Sequence, residues 1–595
     1  MVWRTLCLAG VLLALALLLP ACGGGGAEHD PALVGVWSQT AQTDNGAPVS
    51  LTEKFLLSVN ADDPYRVDTD AAGVINWETG TWSTSGDSLN AVCRDSSVPG
   101  DVGKHRDFTY GVVGDTLTLT STETVDSTAH TYISTFRRLG SDAQLVGQWL
   151  QVSLTQDGTP VSPLPTFVLT VSDGGAYAAN TQEGSEVNTE SGDWGIYDTT
   201  MVAIARSATS AGDVGKQHIA QYQVSGATLT LTYTETEASA EHDYVAVFAR
   251  LATAANLAGV WMQTSRTAND VDVTAEQRFL LTVNADGTYR ADTDEPDSVN
   301  WQTGNWGVTD STLVAVCTGS NVPADIGRLQ VAQYTLSGDV LTLTYSEDVA
   351  AAPVTVVMTL VRMTGNDAAL VGKWSQESMT DNGTPAPLTD HVLLTVNAGG
   401  TYRQDVSPVD LDVPVSWESG IWLSSAPSVS PKWLVGVAQA SSVPGDVGRQ
   451  HPASYVLNGA NDTLTFTAIE LVSGTPHTLV MTFRRLGSEV ALVGAWTQTS
   501  LTEDGAPVTP VPDFHLTVNA DTTYSATVEG GTETGEWGVY GTTLVAIART
   551  APSATDVGKQ HVSTYGIGGG TILTLTYSET HSGVTHAYVA TFSKD

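Results

Sequence analysis

A Gly-x-Trp triplet recurs five times along the chain, as Gly35/Trp37, Gly147/Trp149, Gly259/Trp261, Gly372/Trp374 and Gly494/Trp496. Successive tryptophans stand 112, 112, 113 and 122 residues apart, and each is followed two positions later by glutamine (Gln39, Gln151, Gln263, Gln376, Gln498). A fixed period means one structural unit used repeatedly, and it has to be found before any segment is assigned. The period is domain-sized, which suits a chain of 595 residues that is too long for a single core.

Each unit reads as a run of hairpins, most plainly in the third copy. Phe279 to Val283 alternates into the turn Asn284-Ala-Asp-Gly287, and Thr288 to Arg290 leaves it as the next strand. Trp301 to Val308 and Leu313 to Cys317 form a second pair, and Gln333 to Leu336, Leu341 to Glu347 and Val354 to Arg362 complete the unit. With the Gly-x-Trp segment this gives about eight strands, short connections and no helix. That pattern suits an up-and-down antiparallel barrel, and an immunoglobulin-like β-sandwich is the rival architecture for a unit of this length.

The opening Gly-x-Trp, the eight successive strands and a basic residue near the end of the last strand (Arg138, Arg250, Arg362, Arg485, Lys594) resemble the lipocalin-like, or calycin, domains. The resemblance implies that Trp37, Trp149, Trp261, Trp374 and Trp496 each seal one end of a barrel, with the basic residue packed over the indole. The expected fold is therefore all-β, with five tandem small antiparallel eight-stranded up-and-down barrels strung like beads over 32–139, 144–251, 255–363, 368–486 and 490–595. The C-terminal helix of that family has no counterpart, and each unit is smaller than a typical lipocalin.

The N-terminal residues combine an early Arg4, an apolar run from Leu6 to Leu19, and Leu19-Pro-Ala-Cys22 followed by four glycines. This resembles a bacterial lipoprotein signal, which implies cleavage after residue 21, lipid on Cys22 and a Gly-rich tether over 22–31. Gly23 after the anchor favours the outer membrane by the same analogy. The expected address is the cell envelope, with the membrane engaged through the lipid. A formal charge of -39, with no Lys/Arg cluster in any copy, argues against nucleic-acid partners. Cys93 and Cys317 occupy equivalent positions where the other copies carry Ala205, Ala438 and Ala548, so a small buried core site is expected there and no disulfide.

Chemistry is sparse. On the seventh strand Leu117, Leu119 and Glu123 share one face, and the matching acids are Glu235, Glu347, Glu470 and Glu579. Recurrent tyrosines (Tyr110, Tyr222, Tyr334, Tyr455, Tyr565) are expected within hydrogen-bonding reach of these acids, making a polar anchor inside an apolar pocket. The copies divide into two types. Arg66/Trp77, Arg290/Trp301 and Arg403/Trp417 stand where the second and fifth copies have Ala178/Thr189 and Ser525/Thr532, and joint gain and loss points to guanidinium–indole contact. Asp-Val-Gly-Lys loops (Asp101 to Lys104, Asp213 to Lys216, and variants at Asp325, Asp446 and Asp556) read as supported turns, with a histidine nearby at His105, His218, His451 and His561. One histidine per loop does not make a metal site. Gly86-Asp-Ser88-Leu spells a hydrolase box, but it sits in a tight hairpin without a histidine partner. No cofactor or catalytic centre is expected. The readings carried forward are a non-enzymatic binding or adhesive array or spacer engaging extracellular macromolecules, and a carrier of small apolar ligands, with a hydrolase as the third.

Overall fold

The computed structural model describes residues 29–595 except 63, 72–73, 126, 238–239, 350–351 and 529–530; the expected signal segment and Cys22 lie outside the described residues. Among the described residues the regular structure is strand, with 3-10 turns and no α-helix. Four antiparallel sheets follow one another, three of nine strands and one of eighteen, so the sandwich alternative is not what forms. The chain comprises two compact units, one of the residues up to 254 with 305–318 and 324–331, and the other of 255–304, 319–323 and 332–595.

In the first barrel, Gly35–Asp44 pairs with Lys54–Val59 and the order then runs through Pro64–Ala71, Val74–Ser85, Ser88–Ser96, His105–Val113 and Thr116–Val125 to Thr128–Arg138. The last strand returns to the first and closes the ring, with Trp37 opposite Arg138. Gly147–Gln156 closes on Ala240–Leu251, Gly372–Asp381 on Thr475–Arg485, and Gly494–Glu503 on Val584–Lys594 in the same way. The third repeat, whose residues are divided between the units, pairs Gly259–Ala268 with Ala352–Gly365. The glutamine after each tryptophan marks a β-bulge, as between Gln39 and Ala41 and between Gln151 and Ser153.

The closure explains the triplet. Trp37 is fully buried, and its indole N–H donates to the Leu33 carbonyl at 2.8 Å, from a 3-10 turn that precedes the strand. The other four tryptophans make the same 2.8 Å bond to Leu145, Leu257, Leu370 and Leu492. Arg138 lies over the indole at 4.0 Å, with Arg250 at 4.0 Å, Arg362 and Arg485 at 4.1 Å and Lys594 at 5.1 Å in the other repeats. The glycine is required on two counts. At Gly147 φ is +140°, and a Cβ there would come within 2.7 Å of the Arg250 guanidinium. Cys93 and Cys317 are buried thiols, in line with a small core site.

Within the first unit the second barrel docks on the first through the loop that carries Asp213 to Lys216. Gln217 is fully buried; its backbone N–H donates to Asp70 at 3.0 Å and its side-chain amide to the Asp68 carbonyl at 2.9 Å. The Asp68 carboxylate is held by Arg66 at 2.6 Å from its own barrel and by Arg206 at 2.8 Å from the next. Within the second unit the arrangement recurs. Asp405 is shared by Arg403 at 2.7 Å and Arg549 at 2.9 Å, and Gln560 donates to the Asp405 carbonyl at 2.9 Å. Asp294 likewise takes Arg449 at 2.6 Å and the Gln450 backbone at 2.8 Å. The turns form as expected, with Lys104–Asp101 and Lys559–Asp556 both at 2.7 Å, and in the second, fourth and fifth copies the residue after the turn also fastens the repeat to its predecessor. Gly215 shows the fit, since a Cβ there would strike Ile75 of the first barrel at 2.4 Å, whereas nothing lies within 4 Å of the equivalent position at Gly103. Arg66, Arg290 and Arg403 lie over Trp77, Trp301 and Trp417 at 5.3, 5.4 and 4.7 Å, and each also binds the aspartate two residues on. The pairs therefore brace a docking face.

Gly147→Ala combines left-handed backbone strain with a clash against Arg250, and is expected to cost about 1–3 kcal/mol. Hydrogen exchange of the full chain should show the amides of Gly147–Gln156 losing protection while those of Gly494–Glu503 keep theirs. Equal protection in variant and parent would contradict the closure's role.

Candidate functional site

The interiors differ. The fifth barrel encloses a cavity of about 620 Å³ and the second one of about 410 Å³, whereas the first holds about 50 Å³. Ligand pockets begin near 300 Å³, so the second and fifth barrels are hollow on the scale of a small molecule. The physical reason lies in two inward positions. Phe108 and Arg106 project into the first barrel, while Ala220 and His218 stand there in the second and Ser563 and His561 in the fifth.

The hollow of the fifth barrel is walled by Phe514 and Phe592, edge to face at 5.7 Å, with Leu516, Trp537, Leu544 and Leu575. Its equivalents in the second include Phe167 and Phe248, again edge to face at 5.7 Å. Stacked tyrosines recur with the cavities: Tyr233 on Tyr244 and Tyr577 on Tyr588, both at 5.2 Å. Against this apolar wall stands a polar triad. Tyr524 donates to Glu533 at 2.5 Å, and His561 approaches the same carboxylate at 3.2 Å. In the second barrel Tyr177, Glu190 and His218 repeat it at 2.5 and 3.0 Å, and Tyr402, Glu418 and His451 do so in the fourth. In the first, Arg106 replaces the imidazole, at 2.7 Å from Glu78, and Tyr65 donates to Glu78 at 2.6 Å.

In the fifth barrel burial and charge oppose one another at both the acid and the imidazole. Burial raises the Glu533 carboxyl, but the His561 bond and charge and the Tyr524 hydroxyl outweigh it, so the acid titrates below its ordinary value. Burial lowers the His561 imidazole, and Glu533 with the charge of Glu579 reverses that, so it titrates above its ordinary value. Glu190 and Glu418 are lowered for the same opposed reasons. Burial first, and then the glutamate, pushes Tyr177, Tyr402 and Tyr524 far up, so they remain neutral donors.

The sequence-based candidates are redistributed. Glu235 and Glu579 line the two hollows, beside Tyr233 and Tyr577. Glu347 pairs with Arg266 at 2.8 Å, Glu470 bonds Arg278, and Glu123 is raised by burial, which Arg106 partly offsets. For four of the recurrent tyrosines the expected bonding of these acids is corrected. Tyr110, Tyr222 and Tyr455 donate to Asp30, Asp142 and Asp367 at 2.8, 3.0 and 2.9 Å, ahead of the first strand, and Tyr565 reaches the Gly541 carbonyl at 3.4 Å. Tyr334 follows Gln333 on the strand Leu329–Ser337, opposite Leu343. Tyr110, Tyr222 and Tyr455 thus tie to the segment ahead of the first strand of their repeats, where burial and the aspartate push Tyr110 and Tyr222 up to about 12. The histidine series is also shifted by one in the first copy: His105 is exposed, and Arg106 holds the place of His218. The triad glutamates are not among the sequence-based candidates, although each follows a position that separates the copy types (Glu78 after Trp77, Glu190 after Thr189), a signal in the sequence that points to them.

One group of possible metal ligands occurs among the described residues, Glu503, Asp504 and His586, with ligand atoms within 4.8 Å of one another. It is the fifth-barrel form of a hairpin contact repeated as His130–Asp44, His242–Asp157 and His477–Asp381 at 2.8, 2.7 and 2.8 Å.

The raised His561 stabilises the fold fully below the ordinary imidazole range, and that contribution is lost as pH rises through its elevated value. The lowered Glu533 contributes above the ordinary carboxyl range and loses this as pH falls through its depressed value. The pair is therefore at full strength between about pH 4.5 and 6.5. An NMR titration of the His561 ring should give a midpoint above about 6.5 that drops in Glu533→Gln. A midpoint at or below the ordinary value in the parent would refute the pair.

Among solved structures the chain is similar to a protein of unknown function from the DUF3598 family of Nostoc punctiforme, at 8% identity over 58% of this chain and 97% of that one, with a TM-score of 0.13. It is also similar to isotype 1 transferrin binding protein B of serogroup B Neisseria meningitidis, at 10% identity over 64% and 85% with a TM-score of 0.14. A double mutant of transferrin binding protein B from Haemophilus parasuis gives 7% identity over 80% and 99%, also at 0.14. Scores of this size carry nothing over to this chain. No family model matches it, and no curated protein does either.

Proposed function

We propose that the protein is a non-enzymatic, lipid-anchored envelope protein whose second and fifth barrels each hold one small, largely apolar ligand, while its other repeats serve as the array that carries them. The observation behind this is the contrast in volume, about 620 and 410 Å³ against about 50 Å³ in the first barrel. Walls of phenylalanine and leucine supply the driving force, and the fixed Tyr–Glu–His group offers polar atoms for orientation. Five domains over the stated ranges, the outer membrane and lipid on Cys22 belong to the same proposal. The array reading is favoured independently by the docking loops, which hold neighbouring repeats together through buried side chains such as Gln217 and Asp68.

Titration of the full chain with an environment-sensitive apolar dye should saturate at two dyes per chain. Ala220→Phe installs in the second barrel the side chain that helps fill the first, and Ser563→Phe does so in the fifth. Each should remove one equivalent, and together both. A dye that ignores the parent chain, or binds undiminished in the double variant, would reject ligand carriage. The anchor is tested separately: metabolic labelling with a radioactive fatty acid should mark the parent and spare Cys22→Ser, and equal labelling would exclude Cys22 as the attachment site.

A further inference from the structure

We infer that the ligand of the two hollow barrels is an apolar organic cation, an amine or guanidine on a hydrocarbon or aromatic body, held by Glu235 in the second barrel and Glu579 in the fifth. The inference rests on the reading of these barrels as ligand sites and names the class of molecule they take.

The chain shows what this glutamate position accepts. In the third repeat Glu347 receives the Arg266 guanidinium at 2.8 Å, beside Tyr345. In the fourth, Glu470 is bonded by Arg278. In the first, Glu123 faces the charge of Arg106. Among the described residues no arginine or lysine pairs with Glu235 or Glu579; the nearest basic group to Glu579 is His581, at 4.0 Å. The two glutamates of this series that line the hollows are thus the two without an arginine or lysine partner among the described residues.

The surroundings fit the same class. Among the described residues no arginine or lysine lines the fifth hollow, where Glu533, Asp556 and Glu579 are present with His391 and His561. Burial keeps His391 below its ordinary value, and His561 is committed to Glu533. The second hollow has Lys54 at its rim, but that ammonium is 2.5 Å from the Gln217 carbonyl and 3.9 Å from Asp70. Each glutamate also has a tyrosine from a stacked pair beside it on the wall, Tyr233 and Tyr577, and an aromatic face attracts a cation that has lost its water. A carboxylate ligand would meet two or three acids and no free cation, and a neutral one would leave the glutamate uncompensated in a largely apolar cavity.

The test compares decylamine, decanol and decanoate on the full chain by isothermal titration calorimetry at neutral pH and about 0.15 M salt, where the amine is charged and non-specific attraction to an acidic protein is screened. The expected result is two equivalents of decylamine, bound about tenfold or more tighter than decanol, with decanoate weakest. In the Glu235→Gln/Glu579→Gln chain the ratio of decylamine to decanol affinity should collapse to about one. If decanol or decanoate binds the parent as well as decylamine does, the cation preference is overturned and ligand carriage stands. If none of the three binds, ligand carriage fails and takes the preference with it. The comparison on the parent chain decides the question even if the double variant does not fold.

Discussion

The whole architecture hangs on a buried indole at the point where each ring of strands closes. A tryptophan with no solvent exposure must have a partner for its N–H, and the Leu33-type carbonyl supplies one from a turn that plugs the same end. The cation over the opposite face of the ring requires space that only glycine leaves, which ties three separated features into one interaction. With one end of the barrel fixed in this way, the remaining strands are free to differ between copies in what they enclose and in what they touch.

That freedom is used along a single strand. Gln217 and His218 are sequence neighbours, so their side chains leave the strand on opposite faces. The first is buried against the preceding barrel through Asp68, and the second enters the hollow and meets Glu190. Gln560 and His561 divide the work in the same manner, the one on Asp405 and the other on Glu533. Docking and the polar group of the cavity are thus adjacent in sequence and separated by the thickness of a sheet. His391, Pro408 and Leu411 of the fourth repeat join the lining of the fifth cavity, so the neighbour forms part of that hollow's rim.

Much of this was legible in the sequence. The Gly-x-Trp period, the turn residues and the closing cation specify the strands and the closure, because each is a local requirement repeated in register. The joint loss of Arg66/Trp77-type pairs correctly marked two kinds of copy and the guanidinium–indole contact. What escaped was long-range. Asp68 looks like part of a surface Asp-Thr-Asp run until the barrel that follows places Arg206 on it. Glu235 and Glu579 line the hollows as their strand parity suggests, but the partners of tyrosines such as Tyr110 are long-range, and only the fold shows that Asp30 is within reach. Cavity volume depends on the sum of small choices, such as Phe108 against Ala220, that no periodicity reports.

The central claim is that two of the barrels are hollow while the first, built on the same closure, is filled. Crystals of the full chain pressurised with xenon examine it without assuming any ligand, because xenon enters apolar cavities that have room for it. The account predicts xenon beside the Phe167–Phe248 pair and beside the Phe514–Phe592 pair, and none beside Phe108. Empty second and fifth barrels, or equal occupancy in the first, would contradict it.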